Sequence, residues 1–168
     1  MKSFVLLLLS FISLLLWGGY RIVASVHAEQ DYIGYLKRAA DANSVEMAKV
    51  ELTRAVTELE RQRLTNGYTS ILYRTPSEDI GFWYTNLKTS LKELQDLPPN
   101  SSSLEKSNML IKLRETLLDG GKDGENITCP DGISVYPLNT AIALWAIISL
   151  ILGIISFCNL GYKKGLFK

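Results

Sequence analysis

A chain of 168 residues is long enough for about one domain. Its 47% hydrophobic content and formal net charge of +1 exclude a strongly basic nucleic-acid binder and a low-hydrophobicity disordered chain. One His and two Cys leave too few ligands for a zinc finger or a multi-His metal site within one chain.

The apolar excess sits in two blocks. The first runs from Phe4 to Trp17 and is followed by Gly18, Gly19, Tyr20 and Arg21. The second runs from Ala141 to Phe157, inside a stretch of 20 uncharged residues from Thr140 to Asn159. At a rise of about 1.5 Å per residue, that stretch reaches roughly 30 Å, the thickness of a bilayer's hydrocarbon core. A soluble core helix of this length normally carries a polar stripe, and this one carries no charge. The first block has two readings. Val26-His27-Ala28 resembles a signal-peptide cleavage site, but it lies 11 residues beyond Trp17. That spacing favours an uncleaved signal-anchor over a cleaved signal peptide.

Lys2, Lys163, Lys164 and Lys168 flank the two blocks on their outer ends, with no acid among them. The segment between holds 14 basic and 17 acidic residues. The positive-inside rule then predicts both termini in the cytoplasm and residues 21–136 on the other side of the membrane. Trp17, Tyr20, Tyr136 and Tyr162 stand where interfacial aromatic anchors are expected.

The middle segment reads as helices. Ile22, Val26, Ile33 and Leu36 extend helical spacing beyond the first block, predicting a helix through about Ala40 and a break near Asp41. Asn43, Thr75 and Ser102 each stand three residues before a Glu, at Glu46, Glu78 and Glu105, as in a capping box. Val45, Ala48, Leu52, Ala55 and Leu59 form the stripe after the first cap. Ile80, Trp83, Leu87, Leu91, Leu94 and Leu97 follow the second, up to Pro98 and Pro99. Leu104, Leu110, Ile111, Leu113, Leu117 and Leu118 follow the third, with Asp119-Gly120-Gly121 as a glycine cap. The short link from Pro98 to Ser101 predicts an antiparallel hairpin of the last two helices. Tyr68–Tyr73 has strand composition, and Ile127–Tyr136 reads as a β-hairpin around Pro130-Asp131-Gly132. The expected fold is mostly α: two transmembrane helices flank an extracytoplasmic helical bundle with a small β-hairpin. The divisions are an anchor or signal peptide at 1–20, the helical domain at 21–136, a transmembrane helix at 137–160 and a basic cytoplasmic tail at 161–168.

Chemistry-bearing patterns are sparse. The only His, His27, stands near the first block, and no phosphate loop, zincin or dinucleotide fingerprint is present. Glu58 and Glu60 fall on charged helix faces, where solvation and pairing such as Glu58 with Gln62 are expected. No catalytic, metal-binding or cofactor-binding residue is assigned, and no enzyme activity is expected. Phe82-Trp83-Tyr84 is the densest aromatic cluster and cannot face one core entirely. It is either covered by residues 68–73 or exposed as a partner-binding patch. Cys129 lies on the far side of the membrane from Cys158, so it is either a free buried thiol or half of an intermolecular disulfide.

These features predict a membrane-anchored structural or interaction protein of a bacterial inner membrane. Its partners would be the bilayer and a protein or a second copy, with no nucleic acid and no small-molecule substrate. The layout of helix, helical head and helix is similar to bacterial chemoreceptor-type sensor domains in architecture only, so a sensor-like, signal-transmitting module is the alternative. Against it, Gly120–Pro137 interrupts any rigid link to the second apolar helix. A phage or host membrane protein of the lysis or exclusion kind is a further reading.

Overall fold

The computed structural model describes residues 2–121 and 124–163. Lys164 and Lys168, part of the predicted basic tail, lie outside the described residues. The chain is mostly helical with one small antiparallel sheet. Helices α1 (Lys2–Ala28) and α6 (Asn139–Lys163) contain the two apolar blocks, and both are long and apolar enough to cross a membrane.

The two helices pack antiparallel along a seam of serines and tryptophans. The Ser13 and Ser149 hydroxyls meet at 2.8 Å, and the Ser10 hydroxyl donates to the Ser149 carbonyl. The Trp145 indole N–H donates to Ser13 Oγ at 2.8 Å, and that of Trp17 donates to the Ile142 carbonyl at 3.0 Å. Gly153 completes the seam, because a Cβ there would stand 2.7 Å from Ser10 Oγ. Ser10, Ser149 and Ser156 are buried while Phe4, Leu8, Phe11, Leu15, Ile148, Ile151 and Ile155 are exposed. This pattern inverts that of a water-soluble pair. Where apolar surface has no water to escape, small residues and hydrogen bonds hold helices together.

Helix α1 does not stop at the end of its apolar block. It passes through a π-helical turn (Glu29–Ile33) into α2 (Gly34–Ala40), forming one helical rod of 39 residues. In the π turn the Gly34 N–H donates to the Glu29 carbonyl. A Cβ at position 34 would lie 2.7 Å from that oxygen, so the wider turn needs a residue without a side chain. The rod ends at Asp41, where the sequence predicts a break.

Helices α3 (Val45–Arg61), α4 (Ile80–Asp96) and α5 (Ser103–Leu117) complete a head around α2. The predicted α3 stripe of Val45, Ala48, Leu52, Ala55 and Leu59 is buried throughout. In α4, Ile80, Trp83, Leu87, Leu91 and Leu94 are buried and Leu97 is half-buried. Tyr32 and Leu36 enter the same core from the rod. Helix α5 departs from its predicted stripe: Leu113 and Leu117 are buried, but Leu104 and Ile111 are exposed. Ion pairs join neighbouring helices, with Lys112 reaching Glu93 at 2.6 Å and Arg38 reaching the buried Glu51 at 2.7 Å.

The predicted helix starts are met in different ways. Ser102 forms the full capping box with Glu105. The cap of α3 is Ser44, one residue after Asn43, and its hydroxyl accepts from the Met47 amide at 3.2 Å. Thr75 precedes only a 3₁₀ turn (Pro76–Glu78), and its hydroxyl bonds the Glu78 carboxylate. Asp79 then caps α4 by accepting from the Phe82 amide at 3.1 Å. The displacement follows from a bridge between Tyr68 and Asp79, which holds Asp79 extended and delays the helix.

The β expectations change more. Tyr68–Tyr73 forms no strand beyond that single bridge, where the Thr69 N–H donates to the Glu78 carbonyl at 3.1 Å and the Ile80 N–H to the Gly67 carbonyl at 3.0 Å. The hairpin pairs β1 (Leu118–Gly121) with β2 (Gly124–Ile127), opposing Leu118 to Ile127. Leu118 turns extended to make this pairing, so Gly120 joins a strand instead of capping α5. Residues Ile133–Val135, expected as a strand, form a 3₁₀ turn that packs on α1.

Candidate functional site

Successive residues on an α-helix point about 100° apart, and Phe82, Trp83 and Tyr84 go three ways. Trp83 is buried, and its indole N–H donates to the Thr128 carbonyl at 2.5 Å, tying α4 to the segment after β2. Tyr84 is half-buried. Its hydroxyl donates to Glu60 at 2.5 Å, and Lys88 reaches the same carboxylate at 2.8 Å. Phe82 is left 65% exposed. Trp83 is thus covered by residues after β2, and Phe82 remains open.

The hydrogen bond from Lys88, with that from Tyr84, holds the Glu60 carboxyl below its ordinary value. Burial, followed by the Glu60 contact, pushes the Tyr84 phenol up. This trio is an interhelical clasp between α3 and α4 on the outer face of the head.

Phe82 rims a cleft of about 370 Å³ that is also lined by Trp83, Ile127, Cys129 and Pro130. The structure therefore brings two of the sequence candidates, Phe82 and Cys129, to one depression. Cys129 is half-buried with a free thiol. Burial raises its pKa, with the Asp131 and Glu29 carboxylates acting in the same direction. A thiol so shifted holds little thiolate at neutral pH, which slows disulfide exchange. Cys158 is also free and sits on the exposed face of α6.

Glu58 pairs with Arg61 and accepts from Gln62 at 2.7 Å. His27 is exposed on α1. Among the described residues no group of three His, Cys, Asp or Glu side chains is placed to hold a metal ion. Tyr136, expected as an interfacial anchor, is half-buried against Gly67, where a Cβ would fall 2.2 Å from its hydroxyl oxygen.

Two groupings escape the sequence reading. One is the seam of Ser10, Ser13, Ser149 and Trp145, whose only signal is helical spacing of the few polar residues in the apolar blocks. The other is a cleft at the head end of that seam, where Arg21, Thr69 and Asn139 converge from distant parts of the chain. The chain matches no protein-family model, no curated protein and no solved structure.

Proposed function

We propose that this chain is a membrane-anchored interaction protein that presents its helical head to a protein partner on the extracytoplasmic face of a bacterial inner membrane. The observation that carries the reading is the inverted hairpin of α1 and α6, with hydroxyls inside and Leu, Ile and Phe outside. An exposed apolar belt of this extent is stable against lipid and costly against water. Antiparallel pairing brings both outer ends of the hairpin to one side. The flanking Lys2 and Lys163 favour the cytoplasm for that side.

On the head, Phe82 and its cleft supply an anchor of the kind that interfaces use, a large exposed aromatic beside a depression. The role proposed is binding and scaffolding, without catalysis. A photo-crosslinking residue at position 82 in intact cells should give a discrete adduct. The same probe at exposed Met47 should not. No adduct at 82, or equal adducts at both positions, would count against the Phe82 surface. A reporter active only in the cytoplasm should be silent when inserted in α5. Activity there would reverse the orientation.

A signal-transmitting role has one specific observation in its favour, the unbroken rod from α1 through α2. It joins the seam serines to the head core at Leu36. Disulfide locking of the seam, with cysteines at positions 13 and 149, separates the two readings. A locked seam that leaves the position 82 adduct unchanged favours a static anchor.

A further inference from the structure

At the head end of the seam, α1, α6 and the loop after α3 enclose a cleft of about 210 Å³. That is below the roughly 300 Å³ at which pockets for drug-sized molecules begin. Its polar lining holds both signs of charge, Arg21 against Glu78 and Asp131. Among the described residues none of these three makes an ion pair. The Arg21 guanidinium lies over the Trp17 ring at 5.4 Å, and the Glu78 carboxylate accepts from the Thr75 hydroxyl. The same cleft is lined by Thr69, 3% exposed, and Asn139, 8% exposed.

Thr69 Oγ1, Ser70 Oγ and Asn139 Oδ1 are buried without a hydrogen-bond partner. Asn139 donates through Nδ2 to the Gly132 carbonyl at 2.9 Å, which leaves its oxygen as an unused acceptor. Buried polar atoms are rarely left unpaired, because the unmade bond is costly. Three in one cleft call for a ligand that both accepts and donates. On the membrane side the lining becomes apolar at Trp17 and Ile142 and continues into the exposed faces of α1 and α6.

We propose that this cleft binds the headgroup of a phospholipid bearing a primary amine, with its phosphate at Arg21 and its ammonium between Glu78 and Asp131. The hydroxyls of Thr69 and Ser70 donate to phosphate oxygens, and Asn139 Oδ1 accepts from the ammonium. A quaternary amine has no N–H to give these acceptors, and the Trp17 face that could take it is occupied by Arg21. A headgroup with no cation would leave two carboxylates facing its phosphate. The acyl chains then run along the apolar outer faces of the hairpin. The assignment rests on the reading that α1 and α6 stand in a bilayer.

The test is native mass spectrometry of the full chain. It is released from nanodiscs of equal parts phosphatidylethanolamine, phosphatidylcholine and phosphatidylglycerol. One retained phosphatidylethanolamine is expected, favoured about tenfold over the other two, as loss of a charged hydrogen bond implies. Asp131→Asn should abolish that preference, and Arg21→Gln should lower retention of all three lipids, whose phosphate is common, each variant entering nanodiscs and melting like wild type. Retention without preference in the wild type, retention unchanged in Arg21→Gln, or preference unchanged in Asp131→Asn overturns the site. Displacement by free glycerophosphoethanolamine at an equal concentration overturns the lipid as its source. A chain that fails to enter nanodiscs at all instead removes the membrane reading beneath it.

Discussion

The hairpin of α1 and α6 and the head of α2 to α5 solve the same packing problem with opposite materials. The head hides Leu36, Leu52, Leu59, Ile80 and Leu87 and turns Lys, Arg and Glu outward. The hairpin hides Ser10, Ser149 and Ser156 and turns Leu, Ile and Phe outward. On the proposed membrane reading, what differs is the surrounding solvent. In water, burying apolar area drives helices together. In hydrocarbon that drive is absent, so contacts small enough for close approach, together with hydrogen bonds, decide the pairing.

The sharpest way to break the contrast is to truncate one leucine in each region. Leu87→Ala empties a site that is 1% exposed and should cost about 2–5 kcal/mol of head stability, measured by chemical unfolding. Leu150→Ala removes a side chain that is 53% exposed on α6 and should change the stability of the full chain little in detergent or lipid. If Leu150→Ala costs as much as Leu87→Ala, the outer face of the hairpin is a protein contact.

The capping box tests local structure inside the head. Ser102→Ala strips an acceptor from the first turn of α5 and should cost about 1 kcal/mol by the same measurement. The comparable change in the seam is Ser149→Ala, which deletes the hydroxyl facing Ser13. Interhelical polar contacts of this type average about 0.6 kcal/mol, so its effect, read by steric trapping in bilayers, should be smaller than that of the cap. A loss larger than that of Leu87→Ala would make the hydroxyl seam the dominant hold on the whole chain.

The smallest effect is electrostatic. Glu60 has a folded-state pKa held below its ordinary 4.5, first by the hydrogen bond from Lys88. Its contribution is therefore present above the unfolded value and is lost as the pH falls through the depressed folded value. Exposure keeps it small, because water screens the pair. Glu60→Gln should flatten the acid limb of the melting temperature against pH and leave the neutral plateau nearly unchanged. A steeper acid limb in the variant would reverse the assigned sign.

What the sequence disclosed follows the same division. The stripes of α3 and α4 are legible because water enforces a period of 3.6 on any helix half-buried in it. The membrane-length blocks are legible because the absence of charge over 20 residues is itself a strong signal. The seam is hidden because single serines in an apolar run look tolerated, although Ser10, Ser13 and Trp17 repeat at helical spacing. Tyr68–Tyr73 misleads because β propensity describes side chains that suit a sheet and says nothing of an available partner. The actual strand pair is masked by glycines at 120, 121 and 124, which lower strand propensity. Phe82 and Cys129 share a cleft only because Trp83 binds the Thr128 carbonyl 45 residues away, a contact with no local trace.

The π turn at Glu29–Ile33 sets an angle as well as a path. A wide turn holds one residue more than the α-helical count, so it acts as a fixed gear between two shafts. Were the same residues, none deleted, to close into uninterrupted α-helix, the outer shaft would rotate by about 100° against the head. Ser10 and Ser13 would then swing off α6, although no atom near them had changed. The serine seam is thus timed by the backbone hydrogen bond that the Gly34 N–H donates to Glu29, far along the rod that carries it.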